Sequence, residues 1–494
     1  MRAAEESMIE GRRTVAAGFR LLLATILATG AYALFAQPSA ADARALYTGV
    51  AGLNEESPLA FQRVKAAGAS YVRIPLEWSE IAPRNPPADW RPDDAADPHY
   101  DWERSDKAVV GAVASGLIPV AMIEEAPQWA QRCPASQGTN CDPDPAALAA
   151  FATAAAWRYG GNTGGLPRVS FWQGLNEPNL SLYFNPQFEG NRAVSPELYR
   201  NLINTFYAAI KAVDPSNIVV AAGLGPIAVP PYTIGPMRFA RELLCMRGHT
   251  RVRPAPGNCG GGVHFDIFDI HPYTTGAPSH TGGINDVQIG DLQKLQVLLE
   301  AADRAGRIKG QFQRTPLWIG EFSWDSNPPD PGGLQMKIET RWVAEALYRA
   351  WKAGVEAFFW FSLRDRSPQP HLPFSQTLES GLYFRGATIE QDQPKEILYA
   401  FRFPFVSYPQ KGGLAFWGRT PSSLGGKVAI QAWRRGGWRR ASVVRADRHG
   451  IFRGLIRSHY GGNKRGSVRA VYRGEASVPF SMKPVGDFPQ PPFG

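Results

Sequence analysis

A parallel (β/α)8 barrel followed by a small all-β module is the fold class that this 494-residue sequence predicts. Three observations predict it. Eight short apolar, β-branched or aromatic runs alternate with longer segments of helical periodicity between about Tyr47 and Phe403. Runs such as VSFWQGL and EAFFWFS are nearly continuously apolar, as strands covered on both faces must be. After Pro404 the helical pattern stops, and short β-type runs follow, separated by Gly-Gly, Asp and Asn turns.

The eight barrel runs are Tyr47–Asn54, Tyr71–Trp78, Leu117–Glu124, Val169–Asn176, Ile218–Leu224, Phe265–Tyr273, Pro316–Trp324 and Val355–Arg364. Helical segments are expected at Pro58–Ala67, Asp106–Ser115, Pro145–Tyr159, Pro196–Val213, Val287–Ala305 and Leu334–Ala353. A doubly wound sheet is the alternative, but it usually places a Gly-rich fingerprint after its first strand, and none follows Tyr47–Asn54. About 250 residues suffice for a bare barrel, so long loops are expected, among them Ala82–Pro98 and Thr274–Asn285. The runs Leu414–Trp417, Lys427–Trp433, Ser442–Arg445, Ile451–Arg457, Ser467–Tyr472 and Ser477–Met482 suggest an immunoglobulin-like sandwich. The expected organisation is therefore a leader at 1–43, the barrel at 44–405, the basic sandwich at 410–482 and a tail at 483–494.

The leader follows from Arg12, Arg13 and Arg20, an uncharged stretch from Leu21 to Ala36, and an A-x-A pattern ending at Ala43. That layout is a secretory signal peptide, or an uncleaved membrane anchor. A secreted or cell-envelope location is expected, and the cysteines fit it. Cys133 and Cys141 bracket one short loop and Cys245 and Cys259 another, spacings that local disulfides can close. A zinc site would need C-x-x-C spacing or a nearby His pair.

With 44% hydrophobic and 20% charged residues the chain is neither disordered nor fibrous. Its net charge of +9 is uneven: from Phe401 onward 17 basic residues face three acidic ones, against 36 and 41 before it. A mildly acidic body argues against nucleic acid as the partner of the whole chain. Arg434, Arg435, Arg439 and Arg440, interleaved with Trp433 and Trp438, form a cationic-aromatic hairpin. It is either a surface for an anionic cell-wall polymer or lipid headgroups, or a solvated strand face that resists edge pairing.

Barrel sites lie at the C-terminal ends of the strands. Strand four ends Trp172-Gln173-Gly174-Leu175-Asn176-Glu177-Pro178-Asn179, and strand seven ends Trp318-Ile319-Gly320-Glu321-Phe322-Ser323-Trp324. Two carboxylates across one mouth can flank a glycosidic bond, about 5–5.5 Å apart in retaining hydrolysis. Here the sequence resembles clan A of the retaining glycoside hydrolases, in particular its cellulase-like and β-xylosidase/iduronidase-like families. The resemblance covers roughly Gly52 to Phe401 and includes Arg73 in YVRIPLEW, Trp78-Ser79-Glu80, Ala126-Pro127-Gln128-Trp129-Ala130, His271-Pro272-Tyr273 and Trp360.

The resemblance implies Glu177 as general acid/base and Glu321 as nucleophile, with no metal or cofactor. It further implies substrate-side roles for Asn176, Arg73, His271, Tyr273, Trp360 and Trp129, with Asn176 on the sugar 2-OH and Trp360 as the floor beneath the ring. A leaving-group acid must hold its proton, whereas a nucleophile must stay ionised, which Arg73 and the Tyr273 hydroxyl would favour. Trp78, Trp129 and Trp324 are as compatible with packing as with sugar platforms. Glu124 and Glu125 depart from the clan's pattern, and either substrate hydroxyls or Arg132 would satisfy them. The expected function is retaining hydrolysis of a polysaccharide or glycoconjugate by a monomer; the alternative is a non-catalytic carbohydrate-binding or structural cell-surface barrel.

Overall fold

The computed structural model describes residues 44–53, 57–134, 140–256, 259, 261–367, 369, 371–374, 377–410, 412–434, 436–457 and 466–481. The expected leader at 1–43 and tail at 483–494 lie outside the described residues. Within them, no helix is long and apolar enough to cross a membrane.

Eight strands and eight helices alternate: β1 (Tyr47–Ala51), α1 (Pro58–Ala66), β2 (Tyr71–Glu77), α2 (Glu103–Ala114), β3 (Ile118–Glu124), α3 (Pro145–Arg158), β4 (Phe171–Gly174) and α4 (Ser195–Val213) form the first half. The second half is β5 (Ile218–Leu224), α5 (Pro236–Leu243), β6 (Ile267–Ile270), α6 (Leu292–Arg304), β7 (Leu317–Phe322), α7 (Met336–Lys352), β8 (Val355–Phe361) and α8 (Glu396–Arg402). The strands pair in parallel, each with its sequence neighbours, and β8 closes on β1. This is a (β/α)8 barrel.

Side chains alternate across each strand, so one set fills the barrel and the other meets the helices. Tyr71, Val120, Val220, Ile267, Trp318, Ala357 and Phe359 form the interior cluster with Ala51. Tyr71, Phe171 and Trp318 meet at centroid distances of 5.2–5.4 Å. Gly49 is required there, because a Cβ on it would stand 2.5 Å from the Phe359 ring. Helix starts follow local chemistry: the Ser57 hydroxyl caps α1, and the Asp144 carboxylate caps α3 through the amides of Ala146 and Ala147.

The C-terminal region forms two sheets. β9 (Phe405–Gln410), β10 (Gly413–Arg419) and β13 (Ile451–Arg457) make one. β11 (Gly426–Arg434), β12 (Gly437–Ala446), β14 (Ser467–Tyr472), β15 (Glu475–Ala476) and β16 (Phe480–Ser481) make the other. They dock on α7 and α8. Trp417 packs on Tyr348 and Trp351, the Tyr408 hydroxyl donates to Glu345 at 2.6 Å, and Arg402 pairs with Glu475 at 2.7 Å.

The sequence pattern did not show α5, α8 or β9. α5 and α8 are eight and seven residues long, about two turns each, shorter than any of the segments that the periodicity singled out. Pro409 interrupts the apolar run of β9, and is tolerated because β9 lies at a sheet edge. Both local disulfides are formed, Cys133–Cys141 and Cys245–Cys259.

Candidate active site

The carboxylates ending β4 and β7 meet across the mouth. Leu175 and Glu177 both adopt left-handed backbone, at φ 62° and 43°, conformations costing on the order of 1 kcal/mol for such residues. This turn carries Asn176 and Glu177 to the strand tip, and Asn179 staples it to the β5 loop through Gly225 and Ile234. Glu321 sits within β7, where Arg73 from β2 donates Nη2 to its Oε1 and the Tyr273 hydroxyl donates to its Oε2 at 2.8 Å. Burial, reinforced by the charge of Glu177, holds the Tyr273 phenol pKa well above its ordinary value, so it stays a donor.

His271, on the loop leaving β6, links the two acids. Its Nδ1 lies 3.0 Å from Glu177 Oε1 and 3.9 Å from Glu321 Oε2, so those two oxygens are at most about 6.9 Å apart. Its Nε2 lies 3.4 Å from both Asp269 Oδ2 and Arg73 Nη1. Burial opposes protonation of this ring, but hydrogen bonds to Asp269 and Glu177, and their charges, outweigh burial and raise its pKa. Asp269 is itself buried, accepts from Gln173 Nε2 at 3.1 Å, and fits because Gly320 has no side chain to overlap its carboxylate.

A cavity of about 520 Å³ opens over this network, walled by Arg73, Glu124, Asn176, Glu321, Phe361 and Arg366. Such a volume suits a small polar ligand. The Asn176 side chain is buried on the cavity wall, and its Oδ1, itself buried, has no hydrogen-bond partner among the described residues, an unsatisfied acceptor beside the cavity. Burial pushes the Glu124 carboxyl up to about 7, with Arg73 opposing and Glu125 and Glu77 adding to the rise. Arg132 is not its partner, for it pairs with Asp142 and Asp144. Glu77 and Arg104, 3.2 Å apart, separate this cavity from a neighbouring depression over α2.

Of the expected site residues, Glu177, Glu321, Asn176, Arg73, Tyr273 and His271 come together: Glu321, Asn176 and Arg73 wall the cavity, whereas Glu177, His271 and Tyr273 join them through hydrogen bonds without lining it. Two are placed elsewhere. Trp360 is fully buried, outside the barrel, with its indole donating to Ser380 O at 2.7 Å and its ring near Phe322 and Phe401. Strand parity explains this: Ala357 and Phe359 point inward, so Phe361 reaches the cavity and Trp360 cannot. Trp129 donates to Pro83 O and packs edge-on against Trp78 and Trp90, away from the cavity. Trp78 is likewise a packing residue, stacked on Phe151. Trp324 donates to Gly276 O and packs edge-on against Phe322.

Phe361, Arg366, Tyr183, Arg104 and Asp269 were not anticipated. Two-residue counting along β8 could have found Phe361, and the Asp-x-His spacing could have found Asp269. Arg366, Tyr183 and Arg104 lie on loops or helix α2 and carry no local signal.

No protein-family model and no curated protein sequence matches the chain. Among solved structures, it is similar to a family 39 glycoside hydrolase from Bacteroides cellulosilyticus at TM-score 0.50 and 14% identity, covering 84% of this chain and 80% of that one. It also aligns with a monomeric beta-xylosidase from Caulobacter crescentus (TM-score 0.49, 15% identity, 86% and 95% covered). At such identities the likeness is one of fold alone.

Proposed function

We propose that the chain is a glycoside hydrolase that cleaves O-glycosidic bonds with retention of configuration, with Glu321 as nucleophile and Glu177 as acid/base. The observation that carries the reading is the bridged pair: two carboxylates on the tips of β4 and β7 whose facing oxygens lie within about 6.9 Å through His271. That bound accommodates the about 5–5.5 Å that double displacement needs. Arg73 and Tyr273 orient Glu321 and favour its charged form, as attack on an anomeric carbon requires. A proton on His271 Nδ1 engages one oxygen of Glu177 and leaves the other to deliver its proton to the departing oxygen. Asn176, on the cavity wall, offers the unpaired Oδ1 of its amide to a sugar hydroxyl. In the second half-reaction Glu177 takes a proton from water as it attacks the glycosyl-enzyme.

The disulfides and the basic leader pattern support export, and a carbohydrate polymer or glycoconjugate is the substrate class that the mouth suits. The test is Glu321→Ala and Glu177→Ala assayed on a panel of nitrophenyl glycosides and polysaccharides. Each is expected to lower kcat by about 10³-fold or more while retaining the folded spectrum. Azide should restore turnover of the Glu321 variant with an inverted glycosyl azide as product. Wild-type turnover in either variant, or an inverted product from the parent protein, overturns the assignment.

A further inference from the structure

The outer face of the sheet formed by β11, β12 and β14 gathers cations and rings in one place. In β11, Val428, Ile430 and Ala432 are buried, so Lys427, Gln431 and Trp433 face outward. Their cross-strand partners are Arg445, Arg440 and Trp438 on β12, and Arg469 on β14 opposite Gln431. The group is ordered: the rings of Trp433 and Trp438 meet edge to face at 5.3 Å. The Arg469 guanidinium lies 4.3 Å from the centre of Trp438, and its Nε donates to Gln431 at 2.8 Å.

Among the described residues, nothing acidic balances it. The acidic residues of this region among the described residues are Asp447 and Glu475; the first accepts from the amides of His449 and Ile451, and the second pairs with Arg402. Lys427, Arg440 and Arg445 are exposed, and none is in an ion pair among the described residues. Like charges at cross-strand distance repel, and Trp433 leaves 49% of its surface in water. An anionic chain with flat apolar faces relieves both.

We propose that this face binds an acidic polysaccharide, a chain of uronic-acid units whose carboxylates engage Arg440, Arg445 and Arg469 while sugar faces lie on Trp433 and Trp438. Guanidinium groups pair with carboxylates in a planar, two-point fashion, and indoles offer a rigid amphipathic platform. A lipid surface is less suited, because the rings lie on a flat strand face flanked by charges rather than on an amphipathic helix whose apolar side enters the acyl region. The disulfides point to an oxidising compartment, away from nucleic acid. The inference does not depend on turnover in the barrel.

The experiment measures binding of the full-length protein to immobilised polygalacturonate, with its fully methyl-esterified form as an uncharged control on the same backbone. Binding to the acidic form is expected to be at least about tenfold tighter, and to weaken severalfold between low and high salt. The Arg440→Gln/Arg469→Gln pair is expected to lose about tenfold and Trp438→Ala about fivefold, with thermal midpoints near the parent's. If either destabilises the sheet, Arg445→Gln, at an exposed position, should still lose about threefold. Equal binding to the esterified polymer, unchanged affinity in these variants, or equally tight binding to phosphatidylglycerol vesicles or duplex DNA overturns the proposal.

Discussion

The barrel mouth and the outer face of the C-terminal sheet are built from the same kinds of side chain, arginines beside aromatic rings, yet their charges behave differently. At the mouth the central charges are fixed by neighbours from other parts of the barrel: Arg73 on Glu321, and His271 between Glu177 and Asp269. On the sheet, Lys427, Arg440 and Arg445 stand in solvent without acidic partners among the described residues. Buried groups in low dielectric interact strongly and directionally, so moving one disturbs its partner's protonation and position. Exposed groups interact weakly one by one, act through their sum, and are screened by salt. Chemistry at one reacting atom needs the first arrangement, and adhesion along a polymer is served by the second.

Breaking the mouth should therefore cost far more than breaking the face. Arg73→Ala removes one of the two donors to Glu321 and leaves a buried carboxylate underpaired. It is expected to lower kcat by about 10²–10³-fold and stability by about 3 kcal/mol, read from steady-state kinetics and denaturant melts. A loss confined to KM would show that Arg73 serves binding alone.

Glu124 sharpens the contrast through pH. Its pKa in the fold is about 7, above the unfolded value near 4.5, so over that window the folded chain retains a proton that the unfolded chain has released. Its effect on stability therefore becomes steadily more unfavourable as pH rises from about 4.5 to 7, and is constant above. Glu124→Gln should match the parent at pH 4 and exceed its stability at pH 8 by about 1–3 kcal/mol. A difference between the two proteins that is the same at both pH values would contradict the burial argument. The smallest effect belongs to the sheet: Arg440→Ala should change stability by less than about 0.5 kcal/mol, measured by thermal melts. A shift above about 1 kcal/mol would mean that the face is tied into the fold as the mouth is.

The comparison also separates what a sequence displays from what it conceals. Strand tips are legible because Asn176-Glu177 and Glu321 interrupt apolar runs, where an unpartnered charge is costly. The identity of the inward residue on β8 was within reach but depended on parity: shifting the count by one exchanges Trp360 for Phe361. Trp129 was assigned by its neighbourhood in the chain, yet its ring had better company in Trp78 and Trp90 than in the cavity.

By itself the sequence determined the alternation of strands and helices, the carboxylates at two strand tips, the local disulfides and the concentration of basic charge after Phe401. These depend on period, composition and short spacing, which a linear chain carries directly. Only the tertiary structure decided that His271 joins Glu177 to Glu321, that Asp269 stands behind it, that Arg366 and Tyr183 enter the cavity, and that Arg469 stacks on Trp438 from another strand. Those contacts join residues brought together by barrel closure and strand pairing, and no local pattern encodes which distant side chain will fill a given space.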